Sequence, residues 1–264
     1  MLGKIMKYDF KALCRYLLPI YAILIGSSIA LRLCIEITQA TDGSFLGGIL
    51  AVLFGLTFGL STLVTLFSVF VIIIIHFYKT LLSDQGYFYL ALPVSYDAHL
   101  ISKILMGAVF IVLSLFALFV SLIPFFVGNV ELPAILNVFK NIFEVVGEVG
   151  KYPYGIPCMI LMLLIYLFGF QIKVYFCIFL GQLWQKHRIL GAFLAYIATG
   201  LVLRIAASIL SINSFNALKL IVNPENIFSK PLGLLLEVLV FYALVYALEY
   251  ILTRFILKRK LNLE

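Results

Sequence analysis

The chain has 264 residues, of which 64% are hydrophobic and 12% charged, with a formal net charge of +7. A soluble domain carries roughly a quarter charged residues, so these proportions exclude a water-soluble enzyme or binding module. A bilayer core of about 30 Å takes roughly 20 apolar residues per helix, and six stretches reach that length, near 16–35, 45–77, 101–127, 155–182, 189–211 and 232–256.

The fold class expected is therefore all-α: a polytopic membrane protein with six transmembrane helices, one domain over residues 1–264, without soluble domain, long linker or low-complexity tract. Before the first span, Lys4, Lys7, Lys11 and Arg15 fall within one narrow arc at 100° per residue, opposite Leu2, Met6, Phe10, Leu13 and Leu17. That pattern predicts an amphipathic interfacial helix over residues 1–16 on the membrane surface. Asp9 breaks the pattern at the edge of the apolar face and is read as a solvated flank residue, with a partner contact as the alternative. Basic residues before an apolar run and the small residues of "SSIA" also fit a secretory signal, but five further spans make an uncleaved first helix the simpler reading. Arg32 and Glu36 form an ordinary i, i+4 pair on it.

The second run would be about 50 Å long as one helix, so it should tilt, break or protrude. Along it Gly47, Ala51, Gly55 and Gly59 recur every fourth residue, which predicts a packing seam within the chain or across a dimer. Residues 78–98 follow as a polar segment. Gly86 interrupts helix propensity there and Pro93 disfavours the α region at Leu92, so a short helix ending near Leu92 is expected. Ser95 can cap the next helix, with Asp97 in its first turn. The aromatics Tyr87, Phe88 and Tyr89 are open to two readings: a belt at headgroup depth, or a wedge that enters a groove on a cytoplasmic partner while Asp84 fixes register.

After the third span, Asn137, Lys140, Asn141, Glu144 and Glu148 stand at helical spacing opposite Ile135, Leu136, Phe139, Ile142, Phe143 and Val146. They predict an amphipathic helix on the outer leaflet or on the other spans. The connection "INSFNALKLIVNPENIFSKP" is mildly apolar and can dip back into the membrane where protein satisfies its backbone. Lys173, Arg204, Glu237 and Glu249 lie within the last three spans, away from their cytoplasmic ends. Arg204 and Glu237 come at similar depths and can pair; Lys173 reaches Glu249 only with its long stem extended. Internal clamps or a substrate path are the two readings. Cys14, Cys34, Cys158 and Cys177 are scattered singly and behave as small apolar residues.

With the N-terminus inside, twelve of the nineteen Lys and Arg residues fall on inner segments. The positive-inside rule then places both termini in the cytoplasm. The positive charge serves orientation and contact with anionic lipid at the cell membrane, not nucleic acid. No GxxxxGK[ST], HExxH or GxSxG pattern is present, so an enzyme is not expected and any ATP is bound elsewhere.

The block "FYKTLLSDQGYFYLALPVSYDAHLISKIL" resembles a segment of the permease subunits of bacterial type-2 ABC exporters, and "KYDFKALCRYLLPIYA" is similar to their opening. Together the two blocks cover about a fifth of the chain. The departure is "GYFYLALP", where relatives carry a more aliphatic and polar sequence. The resemblance implies an interfacial helix and a cytoplasmic coupling helix between spans two and three, at which a separate ATPase subunit docks. Lys79, Asp84, Gly86, Tyr87, Pro93 and Ser95 stand at the motif positions. Candidate docking residues are then Asp9, Lys79, Asp84, Gly86, Tyr87, Phe88, Tyr89 and Pro93. The implied partners are that ATPase, which would carry Mg-ATP while this chain holds no cofactor, and a second permease copy or paralogue. The few polar groups in the spans suggest an amphipathic or hydrophobic cargo, such as a peptide, lipid or drug-like molecule. The alternatives are a secondary transporter or channel, with Lys173 and Arg204 lining the route, and a membrane scaffold of the immunity type.

Overall fold

The computed structural model describes residues 2–40, 45–83, 86, 94–126, the helical positions 137, 140, 141, 143, 144, 146–148 and 150 with Lys151, and then 155–184, 187–219 and 229–259. Six helices organise them: α1 (Leu2–Ala40), α2 (Phe45–Leu81), α3 (Tyr96–Phe126), α4 (Gly155–Gln182), α5 (Arg188–Lys219) and α6 (Ser229–Arg259). Each is long and apolar enough to cross a bilayer, and no strand occurs among the described residues. The chain is a multi-pass membrane protein. It divides into two compact units, Met1–Lys79 with Leu105–Lys140, and Thr80–Ile104 with Asn141–Glu264.

In the first unit α1 is one uninterrupted helix. Its 39 residues extend about 58 Å, and no break separates an interfacial segment from the span near residue 16. Ile5, Asp9, Leu13, Leu17, Leu24, Ser28 and Leu31 are buried, at spacings of three, four and seven that keep them on one face. Pro19 removes a backbone donor but sits on the exposed side, so the packed stripe runs past it and holds the helix together. Residues flanking the stripe engage both α2 and α3 within the unit. Phe10 meets Phe110 with ring centroids 5.3 Å apart, Tyr21 bonds the Ser114 hydroxyl, and Ser27 and Ser61 are 2.9 Å apart. Hydroxyls that would be costly in hydrocarbon bond their own helices, as Ser28 does to Ile25 O and Thr65 to Ser61 O.

The second helix also runs unbroken, from Phe45 to Leu81. Its small residues differ in burial along the helix. Gly47 is buried, Ala51 and Gly55 are half-buried and Gly59 is exposed. A Cβ on Gly55 would lie 3.9 Å from Leu31 Cδ1, an ordinary contact, and one on Gly59 would meet nothing within 4 Å.

The second unit is built on a tight hairpin of α4 and α5. A Cβ on Gly181 would stand 2.5 Å from Ala192 N and 2.6 Å from Arg188 O, so only glycine lets the two backbones approach this closely. Gly191 answers it from the other side, against Trp184 and the Gly181 Cα. Within α4, residues Ile165–Gly169 form a π-helical turn, and such a turn leaves a carbonyl short of its usual partner. Gln171, 1% exposed, donates through Nε2 to Leu167 O at 2.9 Å and supplies one. At the end of that turn Gly169 packs on the Tyr246 ring of α6, where a Cβ would lie 2.5 Å from Cε2.

Two expectations shift in extent. The fifth span continues as helix through Lys219, into what the sequence suggested was a re-entrant loop, and Pro224 lies outside the described residues. Every described position from 137 to 150 is helical, as the spacing predicted. Phe143, from its apolar side, is 73% exposed, which suits contact with lipid better than contact with other spans.

Candidate functional site

The polar groups gather at two levels of the helices. In the first unit, the N-terminal turns of α1 carry Lys4, Lys7, Lys11 and Arg15 on the exposed side. Asp9 is not solvated as the sequence pattern suggested. It is 1% exposed, and its Oδ1 lies 3.1 Å from His76 Nε2 on α2. The reason is its register: Asp9 is four residues from both Ile5 and Leu13, in the middle of the buried stripe. A carboxylate there is tolerated only with a partner, and His76 is one. Lys79 stands three residues beyond His76, exposed in the last turn of α2, where a cation suits the negative end of the helix.

In the second unit Ser83 and Gly86 follow the end of α2. The Gly86 N–H donates to Ser83 O at 2.6 Å. Gly86 is buried, and a Cβ added there would stand 2.6 Å from Leu81 O. Among the remaining docking candidates, Asp84, Tyr87, Phe88, Tyr89 and Pro93 lie outside the described residues, as does the short helix expected to end near Leu92. Ser95 caps α3, its Oγ accepting from the Ala98 N–H at 3.3 Å. Asp97 follows in the first turn and reaches α6, with Oδ2 at 2.8 Å from Arg254 Nη2 and Oδ1 accepting from the Tyr250 hydroxyl at 3.4 Å. Behind it His99, Ser102 and Lys103 are 1%, 0% and 2% exposed. Sequence reasoning passed over this row, although polar residues at i, i+3 and i+4 in an apolar helix signal one buried polar face.

Deeper in the second unit α4, α5 and α6 bring together Lys173, Cys177, Tyr196, Thr199 and Glu249. The Lys173 ammonium lies 4.9 Å from the Tyr196 ring centroid, a cation–π contact. A Cβ on Gly200 would come 3.3 Å from its Nζ. Cys177 Sγ and Thr199 Oγ1 are 3.6 Å apart. Glu249 is 4% exposed, and its Oε2 is buried without a hydrogen bond. Lys173 acts on it electrostatically, but the two are not joined by an ion pair among the described contacts. Arg204 and Glu237 are both exposed. Arg32 and Glu36 do, at 2.6 Å. Among the described residues no group of three His, Cys, Asp or Glu side chains is placed to hold a metal ion.

The second unit thus holds a braced polar end at Asp97 and Arg254 and, deeper in it, a buried carboxylate, Glu249, on which Lys173 acts electrostatically. Comparison with protein-family models, curated proteins and solved structures gives no match.

Proposed function

We propose that the chain is the membrane-spanning permease subunit of a type-2 ABC exporter, located in the cell membrane with both termini cytoplasmic. It would act with a separate ATPase subunit that carries Mg-ATP and with a second permease copy or paralogue. The observation that carries this reading is the block at residues 77–105, whose motif positions Lys79, Asp84, Gly86, Tyr87, Pro93 and Ser95 match the family's coupling segment. Its setting agrees with the role. The segment joins two membrane-spanning helices, carries at Gly86 a position where a Cβ would meet Leu81 O, and leads into α3 through the Ser95 cap. In this mechanism ATP binding draws the ATPases together, and the aromatic coupling helix carries that displacement into the spans. The Asp9 and His76 contact makes α1 follow α2. The basic turns with Lys4, Lys7, Lys11 and Arg15 form the interfacial part at the inner surface.

The test is co-purification of the tagged chain in mild detergent, with identification of bound proteins and an ATPase assay on the complex. A stoichiometric ATPase is expected, lost in Tyr87→Ala and Asp84→Lys while membrane insertion persists. Normal ATPase association in both variants overturns the docking assignment.

One observation favours a second reading, a secondary transporter. Glu249 is a buried membrane carboxylate with an oxygen that lacks a hydrogen bond, and such groups mark ion and proton routes. Gradient-driven transport by the isolated chain, abolished in Glu249→Gln, would select this reading.

A further inference from the structure

Between α4 and α6 of the second unit lies an open groove of about 480 Å³, within the roughly 300–1,000 Å³ of ligand-binding pockets. Its origin is local. Gly169, Ala243 and Ala247 present almost no side chain, and the π-helical turn at Ile165–Gly169 changes the facing of α4 beside them. Leu164, Phe168 and Ile251 complete walls that are hydrocarbon nearly throughout. The polar exceptions are the hydroxyls of two lining tyrosines, Tyr246 and Tyr250. Tyr250 lines the groove and donates its hydroxyl to Asp97, which also holds Arg254 Nη2 at 2.8 Å.

Arg254 and Lys258 continue the same face of α6. Ala243, Ala247, Tyr250, Arg254 and Lys258 are spaced by four, three, four and four residues, which keeps them on one side of the helix. The Arg254 side chain is 57% exposed despite its contact with Asp97, and Lys258 is exposed. An apolar channel thus runs toward a mouth bearing two cations and one carboxylate. A purely apolar occupant gains nothing from that mouth. A soluble anion gains nothing from the channel.

We propose that this groove is a binding site for an anionic phospholipid, with an acyl chain along Gly169, Ala243 and Ala247 and the phosphate headgroup at Arg254 and Lys258. Charge complementarity selects the headgroup, since each basic residue near an anionic lipid surface is worth about 1 kcal/mol, or about fivefold in affinity. Asp97 holds part of the guanidinium in place and makes the mouth weakly rather than strongly basic.

The experiment is native mass spectrometry of the full chain released from nanodiscs containing equal amounts of phosphatidylglycerol and phosphatidylcholine. Wild type is expected to retain phosphatidylglycerol at least about fivefold over phosphatidylcholine. Lys258→Gln, a change at an exposed side chain, should lower that preference severalfold, and Arg254→Gln with Lys258→Gln should abolish it. Ala247→Phe fills the groove and should remove both lipids from the site, with an unchanged melting temperature reporting a folded chain. Equal retention of the two lipids by wild type overturns the proposal. So does a preference that survives the double substitution, or a lipid-free dimer in which a second copy of the chain covers the groove.

Discussion

Replacing Asp9 with alanine removes a carboxylate that is 1% exposed and takes one hydrogen-bond contact from His76, whose side chain is 14% exposed. Removing one partner of a buried hydrogen bond costs about 1–3 kcal/mol, and the partial exposure of His76 puts the expected loss in the middle of that range, about 2 kcal/mol. With roughly 2–4 °C of melting temperature per kcal/mol for chains approaching this size, Asp9→Ala should melt about 4–8 °C below wild type. Asp9→Asn keeps a hydrogen-bonding oxygen at the same place and should lose only about 1 kcal/mol. Asp9→Leu with His76→Leu replaces the polar pair by apolar groups, which is often neutral, so the double variant should recover most of what either single change loses. The assay is thermal unfolding in detergent read as a double-mutant cycle, which isolates the pair from other contacts of either residue. An Asp9→Ala shift inside the roughly 0.5 kcal/mol typical of surface substitutions, or a double loss equal to the sum of the singles, refutes the reasoning.

Gly86→Ala forces a methyl toward Leu81 O, 2.6 Å away in the present backbone. A loss of about 1–3 kcal/mol is expected from such overpacking, with proteolysis between α2 and α3 as the local readout; unchanged cleavage would contradict the tight turn. Ser95→Ala removes the α3 cap and should cost about 1 kcal/mol by the same melting assay, while Ser95→Asp should be tolerated. Glu249→Gln takes a charge out of a site only 4% exposed and should raise the melting temperature, because buried charge in a span is costly. A lowered one would mean that the carboxylate is held by a charge partner worth more than its desolvation.

The polar residues separate what can be read locally from what cannot. Ser95 was legible as a cap because an N-cap is a contact over three residues, and the i, i+4 pair of Arg32 and Glu36 was legible for the same reason. Asp9 was not. Its own helix shows only that it interrupts an apolar pattern, and both water and a partner satisfy that observation; His76 is 67 positions away. The Asp97 contact with Arg254 and Tyr250 was invisible for the same reason, as it joins segments some 150 residues apart.

The spacing of Gly47, Ala51, Gly55 and Gly59 was visible as a pattern, yet spacing does not choose a neighbour. Only the placement of Leu31 shows an ordinary contact at Gly55 and open space at Gly59. Conversely, Gly181 and Gly169 belong to no repeating motif, and their necessity appears only when Ala192 and Tyr246 arrive against them.

By itself, the sequence determined the solvent of this protein, the number of its spans and their approximate limits, because the transfer of about 20 apolar residues into hydrocarbon is a property of each segment alone. Tertiary structure decided which polar groups are buried, which charges find a partner, that α1 is one helix through residue 16, and where a groove opens beside the π-helical turn. Inside a bilayer every face of a span is apolar, so hydrophobicity no longer distinguishes the packed side from the lipid side. That choice is made by small residues and hydrogen bonds between helices distant in sequence, and it exists only once they have met.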